Sequence, residues 1–129
     1  MKAWAEEGLI PQGANRAKLT NLCWCCSDCC LIFYPMLKYG YRLCVPSRYE
    51  AVVDQEACNG CQECVERCPY EAIEMVRPEI SASGKKSKKL KALVDPEKCW
   101  GCGVCVVGCE SEALSLRQVR PEEHIPEAA

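Results

Sequence analysis

Cysteine is the residue type with the most chemistry to offer here, since it accounts for 14 of the 129 residues. Eight cysteines form two runs of the pattern C-x2-C-x2-C-x3-C, and the second run lies 41 residues after the first, as Cys99 follows Cys58. The runs are Cys58, Cys61, Cys64 and Cys68, and Cys99, Cys102, Cys105 and Cys109. Thiolates bind soft metals, and three of them on one loop can each reach a different iron of a cubane cluster.

The 41-residue offset extends beyond the cysteines and predicts a duplicated structural unit. It maps Val53-Asp54 onto Val94-Asp95 and Gly60 onto Gly101. Each unit has the pattern of an entry strand (51–53 and 92–94), a cysteine loop, about two turns of helix and an exit strand (72–76 and 113–116). In each loop the glycine allows a positive φ that turns backbone amides toward metal-bound sulfur.

High cysteine content points either to the disulfides of a secreted protein or to metal ligands. The N-terminus carries two early acidic residues and no continuous apolar stretch, so no signal peptide is predicted. No uncharged stretch of the sequence, including Cys29 to Leu37, is long enough to span a membrane. We therefore expect a reducing, cytoplasmic location with thiols free to bind metal.

Composition narrows the function further. The net charge of −2, from 16 basic and 18 acidic residues, provides no overall positive potential that would attract nucleic acid. A single Phe leaves little aromatic material for a core, so metal is expected to hold the fold together. His124 is the only histidine, and no Ser-His-Asp set or phosphate loop accompanies it. The sequence does not predict an enzyme acting on its own.

The run from Cys58 to Pro69, with its repeat, resembles the bacterial-type two-[4Fe-4S] (dicluster) ferredoxin family over about residues 51–116. The resemblance implies an α+β, ferredoxin-like dicluster fold with a pseudo-two-fold repeat, two [4Fe-4S] clusters and one-electron transfer. In this pattern the fourth cysteine of each run binds the other cluster. Cluster one would be held by Cys58, Cys61, Cys64 and Cys109, and cluster two by Cys99, Cys102, Cys105 and Cys68.

Three details around the two runs qualify the resemblance or add to it. Glu110 stands where the first run has Pro69, so the two halves are unequal. Trp100 follows Cys99 and Tyr70 lies two residues after Cys68, so both are candidates to shield a cluster or to pack the core. Zinc is the competing metal, but a zinc site closes with four ligands and does not require these two longer runs.

Residues 1–50 are predicted to be a separate, irregular, cysteine-rich extension, beginning with a short helix and a loop through Thr20. Cys23, Cys26 and Cys29 repeat the C-x2-C-x2-C spacing, and Cys44 could be a remote fourth ligand, which would leave Cys25 and Cys30 unused. Three hypotheses for these cysteines stay open. The extension holds a third metal centre (iron–sulfur or zinc), it has a redox-active thiol site, or its cysteines are uncoordinated.

The remaining segments frame the predicted function. Residues 51–117 form the dicluster domain, 118–129 a frayed tail with a solvated His124, and 81–91 a basic, solvated connection. The lysines of 85–91 are either simply solvated or dock an acidic redox partner. We expect an intracellular electron-transfer protein, either a soluble ferredoxin or the electron-transfer subunit of a larger redox enzyme, with redox-protein partners. The alternatives are a zinc-stabilised interaction module and a thiol or metal-trafficking protein that uses the N-terminal cysteines.

Overall fold

The computed structural model describes residues 2–13, 21–77 and 89–125 and shows a mixed α+β chain of short elements. The extension contains α1 (Lys2–Glu6), β1 (Ile10–Gly13), β2 (Leu22–Cys25) and α2 (Phe33–Tyr39). The repeat region, residues 49–118, contains β3 (Tyr49–Val53), α3 (Glu63–Arg67), β4 (Ile73–Val76), β5 (Lys91–Val94), α4 (Val104–Val107) and β6 (Leu114–Gln118). A 3-10 helix (Glu122–His124) follows. Across these described ranges no helix is long and apolar enough to cross a bilayer.

Three two-stranded antiparallel sheets organise the chain. The strand β3 pairs with β6 and β4 pairs with β5, so the entry strand of each predicted unit pairs with the exit strand of the other. The four strands predicted for this region are confirmed. The helices α3 and α4, of five and four residues, are shorter than the two turns expected. The helix α3 stops because Cys68 precedes Pro69, and a residue before proline is disfavoured in the helical region.

Backbone hydrogen bonds recur at the 41-residue offset. The amide of Asp54 donates to the carbonyl of Ala113 at 2.7 Å, and the amide of Asp95 donates to the carbonyl of Ala72 at the same distance. Each bond joins the start of one cysteine loop to the segment that follows the other. The two loops are therefore tied to each other's exit strands, and the cysteines of both runs are brought to the same region.

The core of the repeat region consists mainly of alanine and cysteine. Its buried members are Ala51, Cys58, Cys64, Ile73, Ala92, Cys105, Ala113 and Leu114. Among these buried residues only Ile73 and Leu114 have large aliphatic side chains, so the side chains fill little of the core volume with apolar atoms. A core of this composition suits a fold built around space-filling inorganic groups held by thiolates.

The extension packs against the second half of the repeat region, where the sequence predicted a separate segment. A second apolar cluster joins Ile10, Phe33 and Met36 of the extension to Val104 of α4, which is only 1% exposed. In addition, Arg67 Nη2 donates to the carbonyls of Ala5 at 2.7 Å and Glu6 at 2.8 Å, at the end of α1. Residues of the extension and of the repeat region thus contribute to one apolar cluster, which is separate from the core cluster of the repeat region.

Two other segments differ from the expectation. Residues predicted as a loop include β1, which pairs with β2 and places Ile10 in the apolar interior; this burial was not evident from the local sequence. The strand β6 extends one residue past Arg117, and the 3-10 helix follows it. This segment is held by the Val119 amide, which donates to the Arg48 carbonyl at 2.8 Å, and by a His124 ring nitrogen, which bonds the Pro46 carbonyl at 2.9 Å. Most of the basic 81–91 connection, through residue 88, lies outside the described residues.

Candidate metal centres

The two cysteine loops have the backbone conformation that their glycines predict. Gly60 has φ +79° and Gly101 has φ +67°. A side chain at Gly60 would collide with the Leu90 carbonyl, and one at Gly101 with the Tyr49 carbonyl. The absence of a Cβ therefore serves both the left-handed conformation and the close approach of a neighbouring strand.

The first group of four thiols combines three cysteines of the first run with one from the second. Burial raises the pKa of Cys64, and the neighbouring thiolate charges of Cys61, Cys58 and Cys109 raise it further. The same four cysteines line one small hollow, together with apolar residues of the repeat core. Cys68, the fourth cysteine of the first run, does not line this hollow.

The second group has the reciprocal composition. Burial raises the pKa of Cys105 to about 12, with further contributions from the charges of Cys102, Cys68 and Cys99. The pKa of Cys102 is raised by burial and by Cys68 and Cys99 as well. The charge of Cys64 raises the pKa of Cys105 as well, and both cysteines belong to one buried cluster, so the two groups adjoin inside the repeat core.

Protein donors already point at several of these sulfurs. The amide of Ala51 donates to Cys99 Sγ at 3.5 Å, and the amide of Ala72 donates to Cys68 Sγ at 3.4 Å. The Cys109 thiol and the Ser111 hydroxyl are hydrogen-bonded at 3.5 Å. Such donors stabilise negative charge on metal-bound thiolates and on reduced clusters.

The second group is covered by aromatic rings and the first is not covered in the same way. Tyr70 and Trp100 stack with their ring centres 5.6 Å apart and their planes at 18°, and Phe33 of the extension meets Tyr70 edge-on at 6.3 Å. At the 41-residue offset, Asn59 corresponds to Trp100 and Ser111 to Tyr70. The predicted shielding role therefore fits the second group, which the extension also covers.

The N-terminal cysteines divide between two places. Cys26 Sγ and Cys29 Sγ lie 2.8 Å apart, and Asp28 completes a group whose ligand atoms are all within 4.8 Å of one another. The described contacts of Cys44 are instead with Gln12, whose Nε2 donates to Cys44 Sγ at 2.8 Å, and with Cys30. The spacing-based set is thus only partly brought together, with Cys26 and Cys29 adjacent and Cys44 among other partners.

The residues present fit [4Fe-4S] clusters better than single zinc ions. Zinc–sulfur bonds of about 2.3 Å place tetrahedral ligands roughly 3.8 Å from one another. Among the residues described, Cys26, Asp28 and Cys29 form the one group of three or more potential ligands within 4.8 Å, and the eight cysteines of the two runs lie outside it. Their wider separation, in an alanine-lined interior, suits a polynuclear cluster.

Comparison with protein families agrees with this geometry. Residues 57–114, a little under half of the chain, match the family model of the 4Fe-4S dicluster domain. A search of curated proteins found no match to the chain. The family match implies two [4Fe-4S] clusters and iron–sulfur electron transfer.

Proposed function

We propose, from the 4Fe-4S dicluster domain in residues 57–114, that this chain carries electrons one at a time between redox proteins. The observation that supports this most directly is the composition of the two thiol groups, each of which takes three cysteines from one run and one from the other. When bound there, each [4Fe-4S] cluster supplies a one-electron redox couple.

The ligands that we propose follow these groups. Cys58, Cys61, Cys64 and Cys109 hold cluster one, and Cys99, Cys102, Cys105 and Cys68 hold cluster two. The exchange of exit strands between the units and the hydrogen bonds repeated at the 41-residue offset support a pseudo-two-fold relation between the halves. Under such a relation, any crossing of the fourth ligand occurs in both halves.

The surrounding residues assist electron transfer in three ways. The amides of Ala51 and Ala72 donate to ligand sulfurs and so favour the more negative, reduced state. The Tyr70–Trp100 pair lines the cavity beside Cys102 and so limits how much water reaches the second site. The adjacency of Cys64 and Cys105 keeps the two sites close enough in the core for electrons to pass between them.

The surface of the extension favours a lasting protein partner, such as a larger oxidoreductase, over a purely diffusing role. Several large apolar side chains are exposed there, including Leu31 at 91%, Tyr39 at 61%, Tyr41 at 60% and Val45 at 56%. Apolar side chains clustered at a surface are typical of protein–protein contacts, and tyrosine is enriched in them. We therefore favour the electron-transfer subunit over the free ferredoxin.

A second function has one specific observation in its favour. The Cys26–Cys29 pair, with sulfurs 2.8 Å apart and with Cys29 exposed, is suited to thiol–disulfide exchange or to handing over a soft metal ion. A thiol or metal-trafficking role would use this pair and would require no electron transfer through the repeat region.

Anaerobic purification followed by metal analysis and reductive titration tests the proposal. We expect iron and sulfide sufficient for two cubanes, at least about eight iron atoms per chain, and a brown colour that dithionite bleaches. Electron paramagnetic resonance of the reduced protein should then show two interacting one-electron centres. Zinc in place of iron, or a colourless protein after anaerobic reconstitution, would contradict it.

A further inference from the structure

Three of the six N-terminal cysteines lie around the side chain of Gln12, and a fourth, Cys30, neighbours two of these three. Its Nε2 donates to Cys44 Sγ at 2.8 Å, and Cys25 Sγ donates to its Oε1 at 3.6 Å. Cys23 lies directly opposite Gln12 in the β1–β2 pairing, and residues directly opposite in a ladder share a face of the sheet. Cys30 is hydrogen-bonded to Cys25 and is also a neighbour of Cys44.

Strand geometry explains why these four cysteines, and not the regularly spaced ones, come together. Side chains two residues apart in a strand point to the same face, so Cys23 and Cys25 both lie on the Gln12 side of the hairpin. A C-x2-C step from Cys23 leads to Cys26, which follows the end of β2 and pairs with Cys29 in the exposed turn. Spacing that brings ligands together in a loop separates them when the segment is a strand.

The surroundings of this thiol group resemble the surroundings of the repeat-region groups. Cys25, Cys30 and Cys44 are partly buried against the apolar cluster of Ile10, Phe33, Met36 and Val104. They come from three segments: the hairpin, the turn before α2 and the chain that leads to β3. Thiols that come together from separate segments beside an apolar cluster can act as ligands for soft metals. The side-chain amide of Gln12 also donates a hydrogen bond to one of the sulfurs.

We propose that Cys23, Cys25, Cys30 and Cys44 bind a third, all-thiolate metal centre, and that Cys26 and Cys29 stay outside it. The ligand chemistry accepts an iron–sulfur cluster or a zinc ion. The cluster is favoured because the Gln12 side chain stands between Cys25 and Cys44, which spreads the thiols more widely than a single ion requires. The centre adjoins cluster two, since Tyr70 has both Cys44 and Cys102 as neighbours.

Metal content of four serine variants tests the ligand set. The full-length chain should contain, beyond the iron of the dicluster domain, about four more iron atoms or one zinc atom. Cys25→Ser and Cys30→Ser should lose that additional metal, whereas the matched variants Cys26→Ser and Cys29→Ser should keep it. The reverse result, or a wild-type chain with no metal beyond that of the dicluster domain, would overturn the proposal.

Alkylation of the native, metal-loaded protein gives a second measurement that does not depend on variant folding. Cys23 is exposed and Cys26 is half-buried, so burial alone predicts that Cys23 reacts faster with iodoacetamide. Metal ligation by the proposed set predicts the opposite order, with Cys23 protected and Cys26 and Cys29 modified. Faster modification of Cys23 than of Cys26 would refute the assignment. The dicluster proposal fails separately, through loss of protection at the eight cysteines of the repeat region.

Discussion

Replacing Gly101 by alanine should destabilise the loaded protein much more than the same change at Gly103. Both glycines have positive φ, +67° and +80°, so both variants incur a left-handed penalty of about 1–2 kcal/mol. At Gly103 the new Cβ would meet only Leu116 Cδ1, at 3.3 Å. The flexible Leu116 side chain can move aside and relieve this contact. Gln62, at the corresponding position of the first loop, already has φ 69° and carries a side chain.

At Gly101 the new Cβ would meet the backbone of Tyr49 and the hydroxyl of Ser47, with Tyr49 C at 2.7 Å. The segment 47–49 must then move away. This movement breaks two bonds made by Ser47, from its Oγ to the Gly101 carbonyl at 2.9 Å and from its amide to the Trp100 carbonyl at 3.0 Å. At about 0.5–1.5 kcal/mol each, their loss adds roughly 1–3 kcal/mol to the penalty that both glycines share.

The assay is the rate at which cluster absorbance disappears in guanidinium under anaerobic conditions, since cluster loss makes unfolding irreversible and a rate is the appropriate measure. If the segment detaches before the rate-limiting step, Gly101→Ala should lose colour roughly 5- to 150-fold faster than Gly103→Ala. Equal rates for the two variants would refute the close-approach reasoning and leave the backbone conformation as the whole effect.

Three further predictions concern ligand crossing, attachment of the extension and shielding. Cys109→Ser should make the other three cysteines of cluster one accessible to alkylation, and Cys68→Ser should do so for cluster two; the opposite pattern would exclude crossed ligation. Arg67→Ala should remove about 2 kcal/mol of charged hydrogen bonds to α1. It should also raise hydrogen exchange at the Leu9 amide, which donates to the Trp4 carbonyl of α1 at 3.1 Å, whereas Arg117→Ala, at an exposed ion pair, should not. Trp100→Asn should speed oxygen-driven loss of cluster two, with cluster one as the internal control.

The repeat region could be predicted from sequence because local signals and the duplication agree there. Val53 and Val94 fall in equivalent strands, and Gly60 and Gly101 in equivalent left-handed turns. The pattern in each half therefore supports the secondary structure predicted for the other half. Tyr70 and Trp100 could be placed beside ligands, but their mutual stacking depends on the crossing of the two units and has no local signature.

The extension could not be predicted in the same way, because its structure depends on contacts distant in sequence. Ile10 lies in a strand because it packs with Phe33 and Val104, and nothing in residues 10–13 alone indicates this. The C-x2-C-x2-C spacing predicts Cys23 and Cys26 as partners, whereas in the strand β2 Cys23 shares a face with Cys25. The extension has no internal repeat that could support an interpretation of its cysteine spacing.

The packing of the extension has a consequence for how the protein is matured. The backbone of Ser47 is bonded to that of Trp100, and Phe33 and Ile10 join Cys102 in one apolar cluster, so the closed extension stands over the second site. On the proposed ligation, a cluster that reaches the second site after this layer has folded would have to pass through the cavity that Cys102 lines with Tyr70 and Trp100, whereas the exposed Cys61 leaves the first site open to insertion. The order of chain folding and cluster insertion therefore matters more for cluster two than for cluster one, because the N-terminal segment narrows access to the second site.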